Sequence, residues 1–411
     1  MLRRLVVNGF KSLSEVGVEF PRMTVLFGPN AAGKSNLLEA IQALSRVGTS
    51  RTLSEALSEP IRGYPVEAFS FPSGGLAALL SSEAAQFSLE ADLDVGQEHY
   101  QYKVAVEIQP SSGSLAVQDE YLATLNAKGE LKGSPAIEVV NDKLCLRRKS
   151  HPGRPRYESL GENYTTLSDL RLGGAEYRAI DRCRNDLLGW RSYYLDPRVA
   201  MRSARPPADV RDIGVLGEDI APFLYRLRAE KPKHFEAVKR TLRSLIPSVE
   251  DLAVDLDKRR GTLDIQVWQG GTEFSSRIVS EGTLRVLALC AIAVNPWSGS
   301  LLAFEEPENG VHPRRLELIA QLLSSLAIEQ GRQIIVTTHS PLFCDAVLQQ
   351  GRLHLDDIAL FNVRRVGNAT QAQPFDAMRP LFKDHEIARA LTTGTEDGLF
   401  ESLMLRGMLD E

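Results

Sequence analysis

At 411 residues, with 43% apolar and 25% charged side chains and a net charge of -5, the chain can fill more than one core and is not basic all round. Its 31 glycines and 21 prolines are ordinary for a globular protein, which excludes a fibrous repeat or a long low-complexity tract. The longest apolar runs, such as 286–294, fall well short of the roughly 20 residues that span a bilayer, so no membrane partner is expected.

Cys145, Cys183, Cys290 and Cys344 lie far apart and form no CxxC pair, which points to reduced thiols rather than a zinc clasp or a redox couple. The N-terminal MLRRLVVNGFKSL reaches Asn8 and Lys11 before any apolar stretch long enough for a secretory signal, so a cytoplasmic location is expected.

Residues 2–27 read as strands: LRRLVVNGF, then VGVEF, then the β-rich MTVLF running into a glycine loop. A helix follows from Ser35, with Leu37, Leu38, Ala40, Ile41 and Leu44 on one stripe, and ends near Gly48. From Phe87 to Ile108 the alternation of FSLEADLDV and YQYKVAVEI about Gly96-Gln97 predicts an antiparallel hairpin, taken as the start of a second lobe. The basic, Pro/Gly-broken run Lys143–Arg156 reads as a surface loop. Helical patterns cover Leu167–Leu188 and Ile220–Leu245, and VEDLAVDLDK with GTLDIQVWQGG forms another strand pair.

Regular α/β spacing returns at the end: helix Thr283–Val294, strand Leu301–Phe304, helix Arg314–Gln330, strand Gln333–Thr337 and a helix from Pro341, an order expected of a parallel sheet. Neither an internal repeat nor a heptad run is present.

Three segments carry chemistry. GPNAAGKS, residues 28–35, fits G-x-x-x-x-G-K-[ST], in which glycines admit backbone N–H groups to phosphate oxygens. There Asn30, Ala31, Ala32, Gly33 and Asn36 belong to the cradle, Lys34 reaches the β/γ oxygens and Ser35 holds magnesium. LLAFEEPENG, residues 301–310, is an apolar strand ending in two acids, which places Glu305 on magnesium and Glu306 as the base that activates water. QIIVTTHSP, residues 333–341, ends a further strand at His339, where it can donate to charge building on the transferring phosphoryl group. Ser280-Glu281-Gly282-Thr283 opens a helix and is by itself a weaker anion-site signal.

Taken together, NGFKSL, GPNAAGKSNLLEAI, VSEGTLR, EEPENGVHP and TTHSP resemble the ABC-type ATPase heads of the RecF/SMC/OLD-like group, over residues 1–45 and 275–345. The resemblance implies an α/β fold, a P-loop ABC-ATPase head with a mixed sheet and an inserted α+β lobe. The expected boundaries are 1–85 and 271–411 for the head and 86–270 for the insertion. It further implies ATP and Mg2+ as cofactors and a homodimer of heads that sandwich two ATP molecules. In that arrangement Ser280 and Gly282 touch the γ-phosphate held by the partner's Lys34, and Asn309, Gly310 and His312 fall in the segment crossing between subunits. A Glu stands at Glu305 where the family's pattern has Asp.

No coiled-coil arm with a metal hook and no nuclease domain after His339 is expected. The expected function is an ATP-hydrolysing switch that controls a separate effector, a nuclease or toxin, in anti-phage defence. The alternative is a DNA-binding clamp that grips duplex through Arg147, Arg148, Lys149, Arg154 and Arg156. A transporter domain is disfavoured, because its signature lies much closer to the phosphate loop.

Overall fold

The computed structural model describes residues 1–151, 153–351, 354 and 356–375. Residues 376–411, within the stretch where no appended nuclease is expected, lie outside the described residues. The chain divides into two units. One holds Met1–Pro21, Gly28–Trp190 and Phe361–Pro374, and the other holds Arg22–Phe27, Arg191–Leu360 and the residues from Phe375 on.

The first unit opens with the antiparallel strands β1 (Leu2–Phe10) and β2 (Leu13–Glu19). The chain then leaves it as β3 (Met23–Phe27) and returns through the glycine loop into α1 (Lys34–Val47) and the short helices α2 (Leu53–Ala56) and α3 (Gly75–Leu80). Long strands β4 (Ala85–Val95), β5 (Glu98–Gln109) and β6 (Ser114–Leu125) follow, then β7 (Ile137–Val140), β8 (Lys143–Leu146) and β9 (Arg156–Ser159). All join one sheet in the order β2-β1-β4-β5-β6-β7-β8-β9. The hairpin expected to open a second lobe is thus hydrogen-bonded to the N-terminal strand, with Val7 opposite Leu89. Its two-residue period buries Phe87, Leu89, Ala91 and Leu93 of β4 on one face. Phe87 meets Phe10 and Phe69 there, at ring-centroid separations of 5.4 and 5.0 Å.

Two expectations are corrected in this unit. The basic run is not loop throughout, since Lys143–Leu146 pairs with β7 and Arg156 pairs with Leu146 at the start of β9, so that only residues 147–155 leave the sheet. The helix expected from Leu167 begins only at Arg178, as α4 (Arg178–Leu188). The preceding backbone is held otherwise: buried Glu120 accepts the N–H groups of Thr166 (2.6 Å) and Leu167 (2.8 Å), and Gly174 sits at φ 70°.

The second unit carries β10 (Arg191–Tyr193), α5 (Ile220–Glu230), α6 (Pro232–Leu245) and an antiparallel sheet of β11 (Val249–Asp257), β12 (Thr262–Gln269) and β13 (Thr272–Ser275). The apolar pattern 220–245 is two helices rather than one. Pro232 has no N–H to continue α5, and Lys231 before it takes φ -136°, ψ 61°. Then come α7 (Glu281–Ala293), β14 (Leu301–Glu305), α8 (Leu316–Ile328), β15 (Gln333–Thr338) and α9 (Pro341–Gly351). β16 (Ile358–Val366) begins in this unit and runs into the first, where it turns back antiparallel as β17 (Ala369–Pro374).

Strands β10, β14, β15 and β3 lie side by side and parallel. Every residue of β3 and β15 is buried, as in a sheet covered on both faces. The registers Glu305 opposite Thr337 and Thr338 opposite Phe27 bring three strand ends to one level, where open α/β sheets collect ligand-binding groups. No helix among the described residues is long and apolar enough to cross a membrane, and all four cysteines are buried free thiols.

Candidate functional site

The predicted site residues fall in two groups, one in each unit. The first begins where β3 ends. Gly28 takes φ 146°, Ala31 φ 62° and Gly33 φ 104°, so the loop curls before α1 starts at Lys34. Two of these turns require glycine on steric grounds as well. A Cβ on Gly28 would lie 2.1 Å from the Val363 carbonyl oxygen, and one on Gly33 2.0 Å from Thr370 Oγ1. The N-cap Gly33 makes no side-chain cap hydrogen bond at the start of α1. Lys34 is buried, and its ammonium donates to the Gly28 and Pro29 carbonyls at 2.8 Å each, folded over its own loop.

A run of polar groups fixes this loop to the N-terminal turn. Asn36 Nδ2 donates to Ser12 Oγ at 2.7 Å, Ser12 Oγ lies 2.7 Å from Thr370 Oγ1, and Thr370 Oγ1 donates to the Ala32 carbonyl at 3.0 Å. Behind Asn36, buried Glu39 bridges Lys11 and Arg62. A cavity of about 640 Å³ opens beside these groups, lined by Lys11, Ser12, Asn36, Arg62, Phe69 and Arg365 among others. Its two arginines, lysine and small polar groups suit an anionic or hydrogen-bonding ligand. Lys11, Ser12, Arg62 and Thr370 are not named as site residues from the sequence, where Lys11 and Ser12 stand only within the NGFKSL segment. Only the first two carry a signal, as polar residues at a tight turn, and Lys11 takes φ 49° there.

The second group sits at the ends of β14 and β15. Glu305 is the last residue of β14, and Glu306 follows in the left-handed region at φ 47°. Its backbone N–H donates to the Thr337 carbonyl at 3.0 Å, which turns the chain across the sheet end. One carboxylate oxygen of Glu306 lies 3.1 Å from His339 Nδ1 and the other accepts Asn309 Nδ2 at 2.8 Å.

Ser280 caps α7: its Oγ accepts the Thr283 N–H at 3.2 Å, so the weaker signal begins as an ordinary helix cap. The helix nevertheless bears on the acidic turn. A Cβ on Gly282 would lie 2.6 Å from the Gly310 carbonyl, and Arg285 Nη1 donates to the Glu306 carbonyl at 3.4 Å. Burial lowers the Arg285 guanidinium from its ordinary range, with Glu308 opposing.

Among the described residues no cluster of three or more His, Cys, Asp and Glu could hold a metal alone. Ser35 in the first unit carries a hydroxyl and Glu305 in the second a carboxylate, each a hard oxygen donor of the kind that magnesium takes.

A protein-family model described as "AAA domain, putative AbiEii toxin, Type IV TA system" matches residues 23–345. The protein named "DNA replication and repair protein RecF" from Bifidobacterium longum subsp. infantis is 43% identical over 54 residues, 13% of each chain. The protein of the same name from Synechocystis sp. is 34% identical over 93 residues, 22% of each chain. The chain therefore matches less than a quarter of the length of these relatives. A solved structure titled "Crystal structure of the SmcHead bound to the C-winged helix domain of ScpA" superposes with a TM-score of 0.51 at 14% identity, over 92% of this chain and 99% of that one. The likeness shows the fold, a mixed α/β architecture with more than one sheet like that of the SMC head, as the α/β reading expects.

Proposed function

The chain belongs to that AAA-domain family, and on this premise we propose that it is a Mg2+-dependent ATPase that works as a two-state switch. The observation that carries the reading is the glycine loop: it is curled at two positions where a Cβ is excluded, and it opens a 14-residue helix at Lys34. The loop and the first turn of α1 bind the phosphates through backbone N–H groups of Asn30 to Asn36, and Lys34 exchanges its two carbonyl partners for phosphate oxygens. The neighbouring cavity beside Asn36 takes the nucleoside end.

Magnesium held by Ser35 and Glu305 would supply charge neutralisation at the phosphates. Glu306 accepts the proton of the attacking water, with Asn309 and His339 fixing its carboxylate. His339 donates a ring N–H to the developing phosphoryl charge. Ser280 and Gly282 present the α7 N-terminus to the nucleotide held by a second copy, so that ATP closes a homodimer and hydrolysis opens it.

The switch acts on a separate effector protein in the cytoplasm, a nuclease or toxin in anti-phage defence. The family's description, which names a toxin–antitoxin system, supports a partnership of that kind. The test is phosphate release by the purified chain with ATP and magnesium, together with its oligomeric state with and without ATP. Release that survives Lys34→Ala would overturn the assignment of the loop.

A second reading, a DNA-binding clamp in repair or recombination, is favoured by the basic loop. Arg147 is held by Glu138 and Arg156 by Glu158, but Arg148, Lys149 and Arg154 are exposed and have no ion pair among the described residues. The names of the two RecF relatives support this alternative.

A further inference from the structure

Glu308 has no task in the reading above, yet it is a carboxylate only 6% exposed, two residues beyond Glu306. The Thr338 hydroxyl donates to its Oε1, and Thr338 Oγ1 in turn accepts the backbone N–H of Ser340 at 2.9 Å. Its Oε2 is buried and has no hydrogen-bond partner among the described residues. Burial pushes this carboxyl up from its ordinary range, with the Thr338 hydroxyl opposing. An apolar side chain of similar volume would be cheaper to bury here, so packing alone does not explain a glutamate.

Its location does. Thr338 immediately precedes His339, and Glu308 closes the turn that starts at Glu306, with its own carbonyl accepting the Val311 N–H at 3.0 Å. The bond from Thr338 to Glu308 is therefore a side-chain tie between the segment carrying His339 and the segment carrying Glu306. It runs beside the backbone bond from Glu306 N–H to the Thr337 carbonyl. Two ties in parallel remove the hinge motion that one alone would leave, and both adjoin the residues of the 3.1 Å approach of His339 to Glu306.

We propose that Glu308 is a positioning residue for hydrolysis, which sets Glu306 against His339 by binding the Thr338 hydroxyl. This deepens the ATPase reading and rests on it. The experiment compares Glu308→Ala, Thr338→Val, their combination and the conservative Glu308→Gln and Thr338→Ser. Each is measured for kcat and KM of ATP and, without nucleotide, for the imidazole nitrogen resonances of His339.

Either disruptive change is expected to lower kcat by roughly ten- to a hundredfold with KM for ATP little altered, as for a sub-ångström loss of alignment. The double variant should be no worse than the worse single one, because both remove one tie. Glu308→Gln and Thr338→Ser keep an acceptor and a hydroxyl, and should restore kcat and the wild-type His339 resonances. An unchanged kcat, or losses that multiply in the double variant, would overturn the proposal. If the wild type releases no phosphate, the ATPase reading fails by itself. The His339 resonances then decide the tie, and their staying put in Glu308→Ala and Thr338→Val would sink it. Should Glu308→Ala not fold, Thr338→Val against Thr338→Ser carries the same test.

Discussion

Oε1 of Glu306 lies 3.1 Å from Nδ1 of His339, while Oε2 takes the Asn309 amide at 2.8 Å, so the proposed base is gripped from both sides before any water arrives. Glu306→Gln removes the charge that would take up a proton but keeps most of the shape. Phosphate release should fall by about 10²- to 10⁴-fold, the usual contribution of a general base, while equilibrium ATP binding persists. Turnover at the wild-type rate would remove Glu306 from that role.

His339→Ala tests the other side of the same pair. It should reduce kcat by roughly tenfold or more with ATP affinity nearly intact, since an electrostatic donor to the transition state contributes little to ground-state binding. A rise in KM with kcat unchanged would instead make His339 a binding residue.

Gly33→Ala should cost stability and ATP binding together. The new methyl enters a φ of 104°, where L residues are strained by about 1–3 kcal/mol, and points at Thr370 2.0 Å away. Thr370→Gly in the same chain removes the clash but not the strain, so it should recover part of the melting temperature and not all of it. Full recovery would show that the backbone conformation at Gly33 costs nothing.

Gly282→Ala separates capping from close approach. Ser280 keeps its cap, but the methyl meets the Gly310 carbonyl at 2.6 Å and displaces the turn that holds Glu306. The expected signature is a kcat loss of about tenfold with a melting temperature close to wild type, consistent with a small displacement of catalytic groups. Equal ATPase rates would show that the acidic turn tolerates the shift.

Replacing Arg148, Lys149 and Arg154 together by Gln leaves the paired Arg147 and Arg156 in place. On the clamp reading, duplex binding weakens and the slope of log K against log salt drops by about 2–3, one for each phosphate that these side chains neutralise. Duplex binding with an unaltered slope would take this loop out of nucleic-acid recognition.

What the sequence made legible follows from how local each signal is. The glycine loop, the strand ending in Glu305-Glu306 and the strand ending before His339 are short, continuous patterns whose register survives folding. The helix expected from Leu167 fails because buried Glu120, contributed by β6, claims its backbone N–H groups across 46 residues, a pairing that no periodicity records. Thr370 and Arg62 stay hidden for a like reason. Thr370 reaches the loop only because β17 returns across more than three hundred residues, and Arg62 because Glu39 pulls it in. Glu308 reads in the sequence as one more letter of a motif, since its burial and its tie to Thr338 exist only once β14 and β15 lie side by side.

β1 is bonded along one edge to β2 and along the other to β4, so the first twenty residues form one end of the larger sheet and cover the edge of β4. A truncated chain starting at the loop would lay bare the eleven-residue edge of β4, whose alternate positions are Phe87, Leu89, Ala91 and Leu93. Such an unpaired apolar ribbon recruits other chains, so versions trimmed at the N-terminus should precipitate, and tags belong where they spare Met1 from crowding.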